Sequence, residues 1–234
     1  MLPMLGTRDR DTNWLCRVGG VSGVALGIGY IAIIGMYVPM GAPPKGVEDH
    51  LAYLAAHTAA WWWILGLSVL TDLLFVPLSL ALYAVLKEVS RSVMLLATAC
   101  VALFVFLDLA ITWTNVATLI MLSGKFAAAA GPVEKSAVVA IAQSPAMVLQ
   151  SGLLFVYNSL TLALGLLLAG FPMLKGGFGK VSAYLSIVTG GLGVIAVAGS
   201  FFFPSMDASI ILVSLLTMIW AIIVGCQLFV MGRE

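Results

Sequence analysis

Charge is what this chain has least of. Charged side chains make up 9% of its 234 residues, whereas 62% are hydrophobic. A soluble domain carries roughly 25% charged residues. A water-soluble fold this apolar could not cover its surface, so the solvent implied is the lipid bilayer. The formal net charge of +1 leaves no basic excess to attract nucleic acid or acidic lipid. Histidine is almost missing. His50 and His57 share a helix face but stand about 10 Å apart, too far to bind one metal ion. No apolar run contains a histidine, which argues against a bis-histidine haem, and none has a mid-run lysine, which excludes a retinal Schiff base. Neither G-x-x-x-x-G-K-[ST] nor H-E-x-x-H occurs. No metal and no cofactor is therefore expected. Cysteine is sparse too. Cys16 precedes the first apolar run, and Cys100 and Cys226 lie inside later ones. This pattern implies no disulfide framework and fits small core residues.

What is present is a set of six runs with little or no charge: 18–38, 61–86, 93–122, 146–173, 181–203 and 208–231. Each exceeds the roughly 20 residues a spanning helix needs. The fold class expected is an all-α polytopic transmembrane bundle, one membrane domain of six spans with short outer interfacial helices. The first run follows Arg8, Arg10 and Arg17 as a signal peptide would. It is too long for one and lacks a small-residue cleavage site, so it reads as a retained span. The third run would measure about 45 Å as a helix, so it tilts or projects beyond the bilayer.

Basic residues set the orientation. Eight of them (Arg8, Arg10, Arg17, Lys87, Arg91, Lys175, Lys180, Arg233) fall on the side of the termini, against three (Lys45, Lys125, Lys135) on the other. This places both termini in the cytoplasm. The outer connection 40–60 holds Pro43-Pro44 and a short helix from Val47, whose residues Val47, Leu51, Leu54 and Thr58 repeat at helical spacing. It should lie along the outer interface and lead into the aromatic belt Trp61-Trp62-Trp63. The outer connection 123–144 should hold a second short helix from Pro132 to Gln143. The inner connections 87–92 and 174–180 are tight, so spans two and three form one antiparallel hairpin and spans four and five another. Gly176-Gly177-Phe178-Gly179-Lys180 is a turn, since it lacks the strand and the Ser/Thr of a phosphate loop.

The stretch Asp72-Leu73-Leu74-Phe75-Val76-Pro77, continuing through Tyr83 to Lys87, Val89 and Arg91, together with the Gly176–Lys180 turn, resembles a bacterial integral membrane family described as domain of unknown function 4386. The resemblance covers nearly the whole chain, although the turn after span four lacks the proline usual in that family. It implies the topology and a bacterial inner-membrane location, and it assigns no activity.

The costly residues are the informative ones. Asp72 and Asp108 are the only ionisable acids or bases well inside a run. Such residues usually face the protein interior and are candidates for function. Each lies about 22–24 Å from the same inner turn, so an antiparallel hairpin brings them to one level. Each also sits on a polar stripe: Ser68, Asp72 and Ser79 in span two, and Asp108, Thr112 and Asn115 in span three. Span four adds Gln150, Tyr157, Asn158 and Thr161. Three helices could thus turn polar faces toward one mid-membrane site. Two close carboxylates in a low dielectric cannot both stay ionised cheaply, so one would keep a proton near neutral pH. Two readings follow from the same residues. One is a proton-relay or cation site in a small transporter, channel or ligand-binding protein. The other is a pair of protonated acids holding helices together, in a protein that serves as a scaffold or accessory subunit of a membrane complex. Intramembrane catalysis is a third, although Thr71-Asp72-Leu73 and Leu107-Asp108-Leu109 lack the patterns of aspartyl proteases. The partners expected are the bilayer, a small-molecule or ion ligand, and a second copy or a membrane complex, but no nucleic acid. In span one, Gly19, Gly23 and Gly27 form a G-x-x-x-G stripe that allows close helix packing, within this chain rather than between copies. Gly190, Gly191 and Gly193 read the same way.

Overall fold

A computed structural model describes residues 10–200, 202 and 207–233. Arg8 and the far end of the fifth expected span lie outside them. Among the described residues the chain forms helices and no strands, as a backbone confined to hydrocarbon must unless it closes a barrel. The elements are α1 (Arg10–Met40), α2 (Val47–Ala56), α3 (Thr58–Leu107), a π-helical segment (Asp108–Trp113), α4 (Thr114–Ala128), α5 (Pro132–Leu149), α6 (Gly152–Met173), α7 (Lys180–Ser200) and α8 (Asp207–Met231). Six helical runs are long and apolar enough to cross a membrane, the longest being Thr58–Ala128.

That longest run is two arms. Ser90, at φ −160° and ψ 91°, is the single extended residue in it, and the chain folds back there. Phe75 and Phe104 then meet edge to face across the hairpin, 5.6 Å between centroids. The reversal is tighter than the expected turn over 87–92. Serine competes with its own backbone for hydrogen bonds and tolerates leaving the helix, and the exposed neighbours Lys87, Glu88, Arg91 and Ser92 put the break in water. The Arg91–Ala128 arm extends about 57 Å at helical rise, nearly twice the roughly 30 Å hydrocarbon layer.

The excess length builds a second core at the end away from Ser90. Leu51 and Leu54 of α2 pack there with Trp61, Ile64, Leu119, Ile120, Leu122, Phe126 and Ala142. Helix α2 starts at Val47 as its spacing predicts, but it is folded onto α4 and α5, with Leu51 fully buried. The Tyr53 hydroxyl donates to the Gly41 carbonyl at 2.9 Å, and burial pushes the His50 imidazole below its ordinary value. The fourth expected span also moves. Helix α5 continues through Pro145 to Leu149, and the break falls at Gln150-Ser151. There the Ser151 hydroxyl accepts from Leu154 N at 3.2 Å and supplies the cap that a helix start needs. Transmembrane-length helix α6 therefore begins at Gly152, not at Ala146.

Most of the described basic residues gather at the Ser90 end, with Lys45, Lys125 and Lys135 at the other. Gly176 abuts Leu86 and Val89, and Arg17 Nε donates to the Gly232 carbonyl at 2.6 Å. Helix α1 lies in the groove between the first arm of α3 and α8, and its glycines make that possible. Gly19 faces Pro77 and Ala81, Gly20 and Gly23 face Ala221, Gly225 and Phe229, and Gly27 faces Ile222. A Cβ on Gly225 would stand 2.8 Å from both Gly20 O and Val24 N. Gly190 packs likewise on Ala163 and Leu167. The stripe is internal packing.

Gly225→Ala should cost about 1–3 kcal/mol, the range for overpacking a close contact. Gly191→Ala, with nothing within 4 Å of its added carbon, should be neutral or mildly stabilising. Thermal unfolding of both variants in one detergent checks this, and equal behaviour would contradict the packing argument.

Candidate functional site

Asp72 and Asp108 each lie 18 residues from Ser90, about 27 Å along an arm. The hairpin therefore brings them face to face. Both are buried, at 2% and 8% exposure, and their carboxyl groups lie within hydrogen-bonding reach of each other. Three N–H bonds aim at this pair or its border. Trp113 Nε1 donates to Asp72 Oδ2 at 2.5 Å. Asn158 Nδ2 donates to Asp108 Oδ1 and to Thr112 Oγ1 at 2.8 Å. The pair thus ties the first arm to the second and the second to α6.

The π-helical segment decides which side chains take part. Its hydrogen bonds close over five residues instead of four, so Asp108 and Trp113 come to one face. In an α-helix Trp113 would sit well round the cylinder from Asp108. The sequence carries no signal for the π turn, and α-helical spacing alone overlooks Trp113. The same extra residue turns Asn115 away. Its Nδ2 donates to the Ile111 carbonyl of its own helix at 2.7 Å, so it does not join the pair as its spacing predicts. Thr112, four residues on, stays on the site under either period.

The α6 residues divide in the same manner. Asn158 is in the network. Tyr157, half-buried, contributes its backbone carbonyl to the Thr161 hydroxyl and makes no polar contact with the pair among the described contacts. Gln150 is exposed at the α5–α6 break, where the helical phase restarts, so it lies outside the cluster. Ser68 and Ser79 are buried. Ser79 Oγ donates to its own helix at Val76 O, 2.9 Å, the usual outlet for a hydroxyl inside a helix.

Tyr30 is a residue that sequence reasoning missed. It lies on α1 where that helix crosses the first arm close to Asp72: a Cβ on the adjacent Gly29 would stand 2.6 Å from Thr71 Cγ2. No charged or histidine residue in the first run marked it. Beside Asn158, a cavity of about 80 Å³ opens between α1, α6, α7 and α8, lined by Tyr30, Ser159, Leu166, Val197, Ser214 and Thr217 among others. Asn158 Oδ1 is buried without a hydrogen-bond partner among the described residues. Among the described residues no three His, Cys, Asp or Glu side chains converge to hold a metal ion.

Fold and site together define a multi-pass α-helical membrane protein with a polar cluster inside its bundle. No protein-family model matches the chain, and comparison with curated proteins and with solved structures gave no match.

The network distinguishes two asparagines that each lie on a polar stripe. Asn158→Leu leaves Asp108 short of a donor and should destabilise by about 1–3 kcal/mol. Asn115→Leu removes only a bond within one helix and should cost no more than about 0.6 kcal/mol. Denaturant or thermal unfolding of the two variants in matched detergent reads the difference.

Proposed function

We propose that this chain is a small membrane transport protein in which Asp72 and Asp108 bind and release a proton or a monovalent cation. One observation carries the reading: N–H donors point at both carboxyl groups. The Trp113 indole can only donate, so Asp72 Oδ2 must accept. Asn158 likewise offers its amide N–H to Asp108. A purely structural pair of neutral acids would depend less on such donors, since its O–H groups can bond to each other and to Asn158 Oδ1. Donors aimed at carboxyl oxygens instead stabilise negative charge. One proton shared between the two groups leaves the pair with a single negative charge in a low dielectric, and no Lys, Arg or His side chain contacts it among the described residues. Such an uncompensated charge is the ordinary setting for a proton or cation site inside a bundle.

The surplus of Lys and Arg at the Ser90 end supports a cytoplasmic placing for that end and the termini, in a bacterial inner membrane. The resemblance to domain of unknown function 4386 agrees with this topology. A scaffold or accessory role remains as the competing outcome.

The deciding assay reconstitutes wild type, Asp72→Asn and Asp108→Asn into liposomes holding a pH-sensitive dye. Proton or cation flux is expected in wild type and should vanish in both variants, which keep the hydrogen-bonding shape of the side chain while deleting its charge. Absence of flux in wild type, or full flux in both variants, would overturn the reading. The first of those outcomes, combined with stable co-purification of another membrane protein, would establish the scaffold role instead.

A further inference from the structure

Hydroxyls inside this bundle share a habit. Thr71, Ser79, Thr118, Ser123 and Thr217 each donate to a carbonyl of their own helix at 2.7–2.9 Å, the usual outlet for a helical hydroxyl. Thr98 does not. Its Oγ1 is buried without a hydrogen-bond partner among the described residues, and so is Trp220 Nε1 of α8. Trp220 as a whole is 2% exposed, and an indole N–H can only donate. A buried donor is costly until something accepts from it. Thr98, Trp220 and Ser79 line one cavity of about 20 Å³, where both arms of the hairpin, α6 and α8 meet. Leu78, Met94 and Leu166 supply apolar wall. Ser79 is buried too. Its hydroxyl gives its proton to Val76 O and keeps lone-pair capacity to accept. A buried water needs roughly 10–15 Å³ of this kind of volume and two to four polar partners. The cavity therefore has room for one water and not for two. Its three polar groups match the usual number of bonds a buried water makes.

We propose that this cavity is a binding site for a single resident water, which joins α8 to both arms of the hairpin. The water accepts from Trp220 Nε1–H and from the Thr98 O–H, and it donates one of its own hydrogens to Ser79 Oγ. Every polar side chain in the cavity wall then has a partner. Trp220 and Thr98 make no direct bond to each other, so a bridging molecule is what satisfies both donors at once. A purely apolar cavity of this size would stay dry, and these three side chains are what distinguish it. The bridge is nearly as favourable in enthalpy as a direct hydrogen bond. Ser79 and Thr98 stand 11 and 8 residues from Ser90, against 18 for each aspartate. The water site thus lies between the carboxyl pair and the fold-back, and it does not depend on what the pair binds. Helix α8 packs on α1 through Ala221 and Gly225. The water gives it a polar tie on another side, to the hairpin.

Two measurements test this on the full chain, and neither needs transport. The first is a water-selective NMR experiment on ¹⁵N-labelled protein in nanodiscs. The chain has six tryptophans, and the Trp220 indole signal is the one lost in Trp220→Phe. In wild type that indole proton should show a dipolar cross-peak to water, whose sign separates a resident water from proton exchange with bulk. Absence of the dipolar peak would show a dry cavity and overturn the proposal. The peak should vanish in the double variant Thr98→Val with Ser79→Ala, which removes both hydroxyls with little change of volume. Its persistence there would show that these groups do not hold the water, and would overturn the assignment as well. The second measurement is a double-mutant cycle of Trp220→Phe with Thr98→Val, read by unfolding in one detergent. Residues without a direct bond or a shared partner should act additively. A shared water should couple them by about threefold in the unfolding equilibrium constant, the average strength of a polar contact between membrane helices. Strict additivity would overturn the bridge.

Discussion

A carboxyl group inside an apolar bundle cannot be left alone. At the centre of a membrane helix one costs roughly 2.5–3.5 kcal/mol even on the lenient insertion scale, and two adjacent ones repel as well if both are charged. The rest of the bundle is arranged around this constraint. The fold-back at Ser90 sets Asp72 and Asp108 at equal depth. The π turn brings Trp113 to the same face as Asp108. Helix α6 adds Asn158. Without the hairpin each acid would need its own partner, and without the π turn Asp72 would lose its donor.

Packing elsewhere frees the site to be polar. Helices α1 and α8, and α6 and α7, approach through glycine, with backbone atoms in contact at Gly20, Gly225 and Gly190. In lipid there is no hydrophobic effect between helices, so close van der Waals approach has to hold them. Those tight seams lie away from the carboxyl pair. Where α1, α6, α7 and α8 splay instead, the wall contains Tyr30, Ser159 and Ser214, and the cavity forms. The second core, from Leu51 to Ala142, clasps the far ends of α1, α3 and α4. The arms beneath it are held at that end by apolar burial and by the Tyr53–Gly41 hydrogen bond, neither of which involves the aspartates.

The helical class and the hairpin were legible because they rest on run length, low charge and the depth of Asp72 and Asp108 from a polar turn. Those are properties of residue counts, and counting survives folding. The cluster was legible in part, for the same reason that part of it was not. Asp72, Asp108, Thr112 and Asn158 were reached by assuming one α-helical phase, and they do come together. Asn115 and Trp113 exchange roles because one extra residue in a turn shifts that phase, and Gln150 drops out because Ser151 starts a new helix. Phase is cumulative, so a single irregular residue moves everything beyond it. Tyr30 was invisible for a different reason. It lies on a helix remote in sequence, and its nearness to the acids follows from how Gly29 lets α1 settle against Thr71.

The direction of the hydrogen bonds carries a consequence for motion. Each carboxyl oxygen that accepts from Trp113 or Asn158 loses strength as an acceptor once it gains a proton. The bonds in question join the two arms and join the second arm to α6. Proton occupancy and helix association are therefore linked, and by linkage each biases the other. A bond between helices in a membrane contributes on the order of 0.6–2 kcal/mol, comparable with the few kcal/mol that separate accessible conformations. The glycine seams and the far core do not change with protonation. Any movement driven by the pair is then centred where the second arm meets both the first arm and α6.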